Sequence, residues 1–481
     1  MMRIPLLRPI VFLLGIAALG MIFPLFYALA LGDRIMFRAF ALPLGAVLLA
    51  ALPTVIVTRK RPLRFGYRDG FLLVFLTWAL CCLLGAVPYY LAAQGIGFCD
   101  AVFESACGFA TTGATTIGDI EALPRPLLLW RSLTHWFGGM GIVVLTVALL
   151  PLFGVGAFQL VKMEIPGPEK EKVTSKITHT AKILWLFYCG LTLALFLFYK
   201  TGGMGWFDAL CHALPMVATG GISTKNAGIA SFNSAFIDGV SVVFMLLAGL
   251  NFNLYYRLSR LKFREVFTNS EGRVYLLIFV TASLLVTAAL VPHYGSVGLA
   301  LRYGSYQTVS ILSTCGSVIA DYETWPVFAQ TVLFVLMFVG GCSGSTAGGI
   351  KVIRHVVLFK QVGNEVMRIV YPQGIFGVRL NRKVGRKDVV YGVAGFVCIY
   401  LLTVFITALA TAASGTDVFS SVCAALAVTG NIGIGFGAVG PALNYGAFPA
   451  ALKYFYSFIM IAGRLELWTV LILFVPEFWK K

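Results

Sequence analysis

Apolar runs of about 20 residues recur along this chain, separated by short polar or basic stretches. A helix of that length is what the hydrocarbon core of a bilayer requires. The runs fall at about 10–31, 40–58, 70–93, 127–153, 182–200, 234–256, 274–292, 326–348, 389–412 and 448–475, which predicts ten spans. After residue 70 one order of elements recurs: span, short half-hydrophobic segment, small-residue glycine loop, span, basic stretch. Internal repetition of this kind decides the fold. It predicts an all-α integral membrane fold with four pseudo-symmetric span–pore loop–span repeats around a central pore. The repeats fall at 69–160, 161–265, 266–365 and 366–481, and two leading transmembrane helices occupy 1–68. The first run has the outline of a signal peptide, because Arg3 and Arg8 precede it and Ala28-Leu29-Ala30 resembles a cleavage site. Its length, and the second run directly behind it, favour an uncleaved first span.

Composition points to the same solvent. Of the 481 residues 59% are hydrophobic and only 12% charged, with a mean hydropathy of +0.88. A soluble domain carries about 25% charged residues. The net charge of +17 would fit a nucleic-acid partner, but its distribution argues against one. Basic residues gather on alternate connections. One group is Arg59, Lys60, Arg61, Arg64 and Arg68, and a second is Lys162, Lys170, Lys172, Lys176 and Lys182. A third is Arg257, Arg260, Lys262, Arg264 and Arg273. The last runs from Lys351 through Arg354, Lys360, Arg368, Arg379, Arg382, Lys383, Arg386 and Lys387. Excess Lys and Arg in short loops marks the cytoplasmic side, so the four glycine loops open outward. Ten cysteines form no CxxC pair and five histidines show no metal-ligand spacing. Neither a disulfide framework nor a zinc site is expected.

The four loops carry the candidate chemistry. They read Ala110-Thr111-Thr112-Gly113-Ala114, Val217-Ala218-Thr219-Gly220-Gly221, Ser313-Thr314-Cys315-Gly316-Ser317 and Ala427-Val428-Thr429-Gly430-Asn431, spaced 96 to 114 residues apart. In a membrane, non-helical backbone is tolerated only where it is buried or lines a water-filled cavity. Four such loops are expected to turn backbone carbonyls toward one ion path, replacing a cation's water shell without a formal charge. The candidate cation ligands are Thr111, Thr112, Gly113, Thr219, Gly220, Thr314, Cys315, Gly316, Val428, Thr429, Gly430 and Asn431. Asp100, Asp208 and Asp417 stand 12 or 13 residues before their loop glycines and are expected to cap short half-helices. In the third repeat Arg302 and Tyr303 stand at that place. A lone Thr-Gly is ordinarily a turn or a small-residue helix contact; its fourfold recurrence carries the reading.

Three further features stand out. The stretch 338–350 interrupts an apolar run with five glycines and several small residues, which should not hold a straight helix. Close helix packing is the alternative, and a phosphate-binding loop is excluded because no Gly-Lys-Ser/Thr follows at the required spacing. Arg464 lies in the middle of the last run, where a charge is costly and marks function by default. Pairing with Glu466 is disfavoured, since residues two apart on a helix do not face each other. Glu104 either tunes the outer cation field or bonds nearby backbone, and Lys225 reads as an outward-facing surface charge.

These residues in this fourfold context resemble the TrkH/KtrB/HKT superfamily of potassium transporters, and the two leading spans and the length are most similar to its TrkH branch. The resemblance covers essentially the whole chain. It implies potassium uptake across a bacterial inner membrane, with K+ as the transported ion and no organic cofactor on this chain. It implies a homodimer with one pore per protomer, and a cytoplasmic TrkA-type nucleotide-binding regulatory subunit, for which 351–387 is the expected docking stretch. A serine in the first filter accompanies sodium preference in plant relatives, so Gly113 implies potassium. A gate below the filter is implied at Gly340, Gly341, Ser343, Gly344, Ser345, Gly348 and Gly349, with Arg464 beside it as an electrostatic barrier.

Two other classes compete. A secondary transporter of a small organic solute would also use broken helices, but predicts an inverted two-fold repeat rather than four same-direction units. A membrane-embedded enzyme needs a nucleophile, base or metal-ligand constellation. Ser343, His135 and His355 are the loose candidates, and nothing in the sequence brings them together.

Overall fold

The computed structural model describes residues 4–58, 67–92, 95–149, 177–380, 383–384 and 387–480. Arg3, the basic positions Arg59, Lys60, Arg61, Arg64, Lys162, Lys170, Lys172, Lys176, Arg382 and Arg386, and the expected boundary after residue 160 lie outside the described residues. The protein is mostly helical. Among the described residues one hairpin pairs Arg379–Leu380 with Lys383–Val384 inside the last basic stretch.

Among the described residues, six helices are long and apolar enough to cross a membrane. They are Leu7–Ala30, Arg34–Thr54, Arg68–Ala92, Lys182–Thr201, Ser270–Tyr294 and Val389–Ala412. The last four of these each precede a short buried helix: Phe98–Ala110, Trp206–Val217, Val297–Leu312 and Val418–Thr429. With 12 to 16 residues each, they rise only about 18–24 Å as helices, too little to cross, so these pore helices end inside the protein. In the first of them every residue from Ala101 to Ala110 is buried.

The aspartates do not all play the expected part. Asp417 is an N-cap and its carboxylate accepts the Ser420 N–H. Asp100 and Asp208 instead sit in the first helical turn behind Gly97 and Gly205, where a negative charge still favours the helix N-terminus. The third pore helix starts early, at Val297 behind Ser296. That puts Arg302 inside it, where it pairs with Asp238 of the second unit at 2.7 Å.

The helix that follows each loop is broken, which the sequence anticipates only in the third, at the glycine-rich stretch 338–350. Arg125–Leu149 kinks at Gly141 (φ 70°). Ala235–Gly249 turns by 92° into Phe252–Ser259. Val327–Leu336 stops after ten residues, and the chain resumes as a helix only at Val352–Val370. Ala450–Arg464 turns by 115° into Leu467–Phe474. Each break carries glycine: Gly141, Gly249, the cluster from Gly340 to Gly349, and Gly463. In the other three, apolar composition could reveal the length of the run but not the break within it.

Candidate functional site

Every pore helix ends in the same closure. The residue after its final turn is left-handed: Thr111 (φ 52°), Thr219 (φ 55°), Thr314 (φ 56°) and Asn431 (φ 54°). Its N–H donates to the carbonyl three residues back, at Gly108, Met216, Ile311 and Val428. The next N–H donates to the carbonyl five residues back, at Cys107, Pro215, Ser310 and Ala427. This pair of bonds satisfies orphan carbonyls at a helix end. The third residue is then a glycine with positive φ: Gly113 (82°), Gly221 (50°), Gly316 (72°) and Gly433 (83°).

The four loops meet in cyclic order. A Cβ on Gly113 would fall within 3.0 Å of the Gly220 carbonyl oxygen, one on Gly221 of the Cys315 oxygen, one on Gly316 of the Ile432 oxygen, and one on Gly433 of the Thr112 oxygen. The carbonyls of Thr112, Gly220, Cys315 and Ile432 therefore occupy equivalent places in a closed ring, each pressed against the preceding unit's glycine. Glycine alone takes both the backbone angle and the contact without strain.

This geometry corrects the loop register in two units. The ring glycines are Gly221 and Gly433, whereas Gly220 contributes a carbonyl. Gly430 has helical angles (φ −82°, ψ −6°) and follows directly on Val428 and Thr429, which belong to the pore helix. The recurring signal is a tripeptide, polar residue–any–Gly: Thr111-Thr112-Gly113, Thr219-Gly220-Gly221, Thr314-Cys315-Gly316 and Asn431-Ile432-Gly433. The Thr-Gly dipeptide hid it, because in the fourth loop Asn431 takes the left-handed place held elsewhere by threonine.

A β-branched residue in the left-handed region costs about 1–3 kcal/mol and persists only where its surroundings fix it. Here side chains do so. The Thr219 hydroxyl donates to the Ala218 carbonyl at 2.7 Å. The Thr314 hydroxyl accepts the Gly348 N–H at 2.6 Å. The Asn431 amide donates to the Thr112 hydroxyl and the Met460 carbonyl, each at 3.0 Å. Behind the ring, Cys107 Sγ donates to the Ala114 carbonyl at 2.8 Å and Ser310 Oγ to the Ser317 carbonyl at 2.6 Å.

Glu104 does not face an ion path as a bare charge. Its carboxylate accepts the Thr115 hydroxyl (2.6 Å) and the Thr116 N–H (2.7 Å) and pairs with Arg131 at 3.1 Å, both partners being buried. Arg131 also donates to the Ser223 carbonyl of the second unit at 3.2 Å. Sequence reasoning missed Arg131, which stands near the start of the run 127–153 rather than at its middle, where Arg464 stands in the last run. At the outer rim Lys225 pairs with Glu121 at 3.4 Å. Asn226 donates to Asp119 at 2.8 Å and holds that carboxyl below its ordinary value.

The glycine stretch lies against the other side of the ring. Gly348 meets Thr314, and a Cβ on Gly348 would collide with the Gly430 carbonyl. Gly340 donates to the Ile350 carbonyl at 2.9 Å, and the Gly341 carbonyl accepts the Val352 N–H at 3.1 Å. The Ser343 N–H donates to Glu271, while the Gly344 carbonyl accepts the Phe252 N–H. Ser345 Oγ donates to the Cys342 carbonyl, and Gly349 takes φ +66°. Thr346, inside the segment Gly340–Gly349 but not singled out by the sequence, donates its hydroxyl to the Val217 and Ala248 carbonyls, each at 3.2 Å. Arg464 ends its helix, where a cation favours the dipole. It donates to the carbonyls of Thr346, Gly138 and Gly139. Glu466 pairs with Arg354 at 2.7 Å. The stretch is thus tied to all four units. Ser343, His135 and His355 have no contact with one another among those described.

A family model with the description cation transport protein, TrkH, matches residues 41–481. The chain is 38% identical to the Trk system potassium uptake protein TrkH of Halomonas elongata over 99% of both chains. It is 37% identical to the Trk system potassium uptake protein TrkH of Escherichia coli (strain K12) over 88% of each. The crystal structure of the potassium transporter TrkH from Vibrio parahaemolyticus matches with a TM-score of 0.89 and 33% identity, covering 100% of both chains.

Proposed function

The chain belongs to the TrkH family of cation transport proteins, and from that premise we propose that it carries potassium inward across a bacterial inner membrane, through the ring of main-chain carbonyls. The closed cycle of Thr112, Gly220, Cys315 and Ile432 is the observation that carries this reading. Such a ring can replace potassium's hydration shell and release it again, because no formal charge binds the ion. The membrane potential supplies the driving force, about 2.3 kcal/mol per charge for each 100 mV.

The glycine stretch and Arg464 act as the closed barrier below the ring. The ties from Thr346 and Gly348 support this, since they hold the stretch directly under the carbonyls. Regulation comes from a cytoplasmic TrkA-type nucleotide-binding subunit docking on the basic stretch 351–387. The protein works as a homodimer. On the helix Val352–Val370, Phe359, Val362, Val366 and Ile369 are exposed at coiled-coil spacing, a pattern that a second copy of the same helix can cover.

The test is ion flux in proteoliposomes. Wild-type protein should take up rubidium, with potassium competing and sodium not. Gly113→Ser should let sodium compete as well. Rubidium uptake indifferent to potassium, or driven by an organic solute, would replace this reading with secondary transport.

A further inference from the structure

Below the ring lies a cavity of about 110 Å³ whose polar lining is mainly basic. Lys351, Arg354 and Arg464 face it, with Glu466 as its carboxylate. Glu466 is engaged by Arg354 at 2.7 Å. Three basic side chains thus gather here with two carboxylates, Glu466 and the buried Glu271 that bonds the Ser343 and Ile353 N–H groups, so basic groups outnumber acidic ones; positive charge held out of water is costly unless compensated.

A second observation points to a ligand. Arg354 Nη1, Tyr400 OH and Thr429 Oγ1 have no hydrogen-bond partner among the described residues. All three residues line this cavity, and Lys351, Arg354, Tyr400 and Thr429 are each no more than 5% exposed. The unpartnered groups are a guanidinium and two hydroxyls, each able to donate. Buried polar groups are normally satisfied, and here what would satisfy them is an acceptor.

We propose that this cavity binds a small inorganic anion, chloride being the physiological candidate, between Lys351, Arg354, Tyr400 and Thr429. The volume has room for a small ion together with a few waters. Lys351 directly follows the glycine stretch, Arg354 belongs to the helix Val352–Val370, and Arg464 ends the helix Ala450–Arg464. The anion therefore joins three elements that must separate for the stretch to leave its place under the ring. A ligand that binds one conformer only shifts the population toward it, so chloride stabilises the closed arrangement. Its effect on flux rests on the uptake reading above; its binding does not.

The experiment uses the full chain in lipid nanodiscs with radioactive chloride, and crystals soaked in bromide for anomalous scattering. The expected result is saturable chloride binding and a bromide peak in this cavity, abolished by Lys351→Met and weakened by Tyr400→Phe and Thr429→Val. The last two remove only unpartnered hydroxyls, so they carry the test if Lys351→Met fails to fold. In proteoliposomes, replacing chloride by gluconate should raise rubidium uptake about fivefold or more, and Tyr400→Phe should blunt that response. A cavity holding water alone overturns the proposal. So does a bromide peak indifferent to all three variants, which marks an adventitious ion only. Chloride binding without any rubidium transport would leave the anion site standing and sink the uptake reading.

Discussion

At the scale of single residues, the ring glycines are not interchangeable with their neighbours. Gly433 has φ +83° and sits against the Thr112 carbonyl. Gly433→Ala should cost about 1–2 kcal/mol in backbone strain alone. A loss of that size at the ion-binding step is about a tenfold fall in preference for rubidium over sodium, readable as a competition ratio. Gly113→Ala and Gly316→Ala should behave alike, because their places in the cycle are equivalent. An unchanged ratio in Gly433→Ala would return the fourth loop to the Gly430 register. The Glu104–Arg131 pair sets a second expectation. Removing one partner leaves a buried charge uncompensated, at about 3–5 kcal/mol. Arg131→Met should therefore lower the melting temperature of the detergent-solubilised protein clearly. Arg131→Met combined with Glu104→Gln should recover much of it, and equal melting points for the single and double variants would deny the pairing.

At the scale of elements, the hydrogen bond from Gly348 to the Thr314 hydroxyl joins the ring to the stretch below it. A neutral hydrogen bond contributes about 0.5–1.5 kcal/mol. Thr314→Val keeps the shape and removes the acceptor, so rubidium uptake without a regulatory subunit should rise several-fold, whereas Thr314→Ser should not. A fall in uptake for the valine variant would show that the bond serves the conducting state instead. Much of this level was legible in the sequence. Run lengths gave the outer spans, and the half-hydrophobic segments gave the pore helices, because both follow from how many residues a bilayer can cover. The break at 338–350 was legible from its five glycines, whereas those at Gly141, Gly249 and Gly463 escaped, since glycines there look like ordinary small-residue contacts until the neighbouring helix is known. The register at Asn431 escaped for a related reason: threonine and asparagine share a backbone role there without sharing a side chain. Thr346 fell within the expected gating segment, but its bonds were hidden because its partners, Val217 and Ala248, lie about 100 residues or more away along the chain.

At the scale of the whole molecule, neighbouring units are stapled by ion pairs. Lys453 of the fourth meets Asp100 of the first at 2.7 Å, and Arg302 of the third meets Asp238 of the second. The exposed stripe on Val352–Val370 belongs to this scale too. Val362→Glu with Val366→Glu places charges on that seam, and should convert dimers to monomers in light scattering of the purified protein while leaving rubidium selectivity intact. Dimers that survive would move the interface elsewhere. Among the described residues, of the four broken helices only the third carries a long glycine insertion under the ring. The passage therefore resembles a doorway with one leaf rather than a camera iris with four blades. Opening should be a single event: after a sudden stimulus, current should climb as one exponential with no sigmoidal lag.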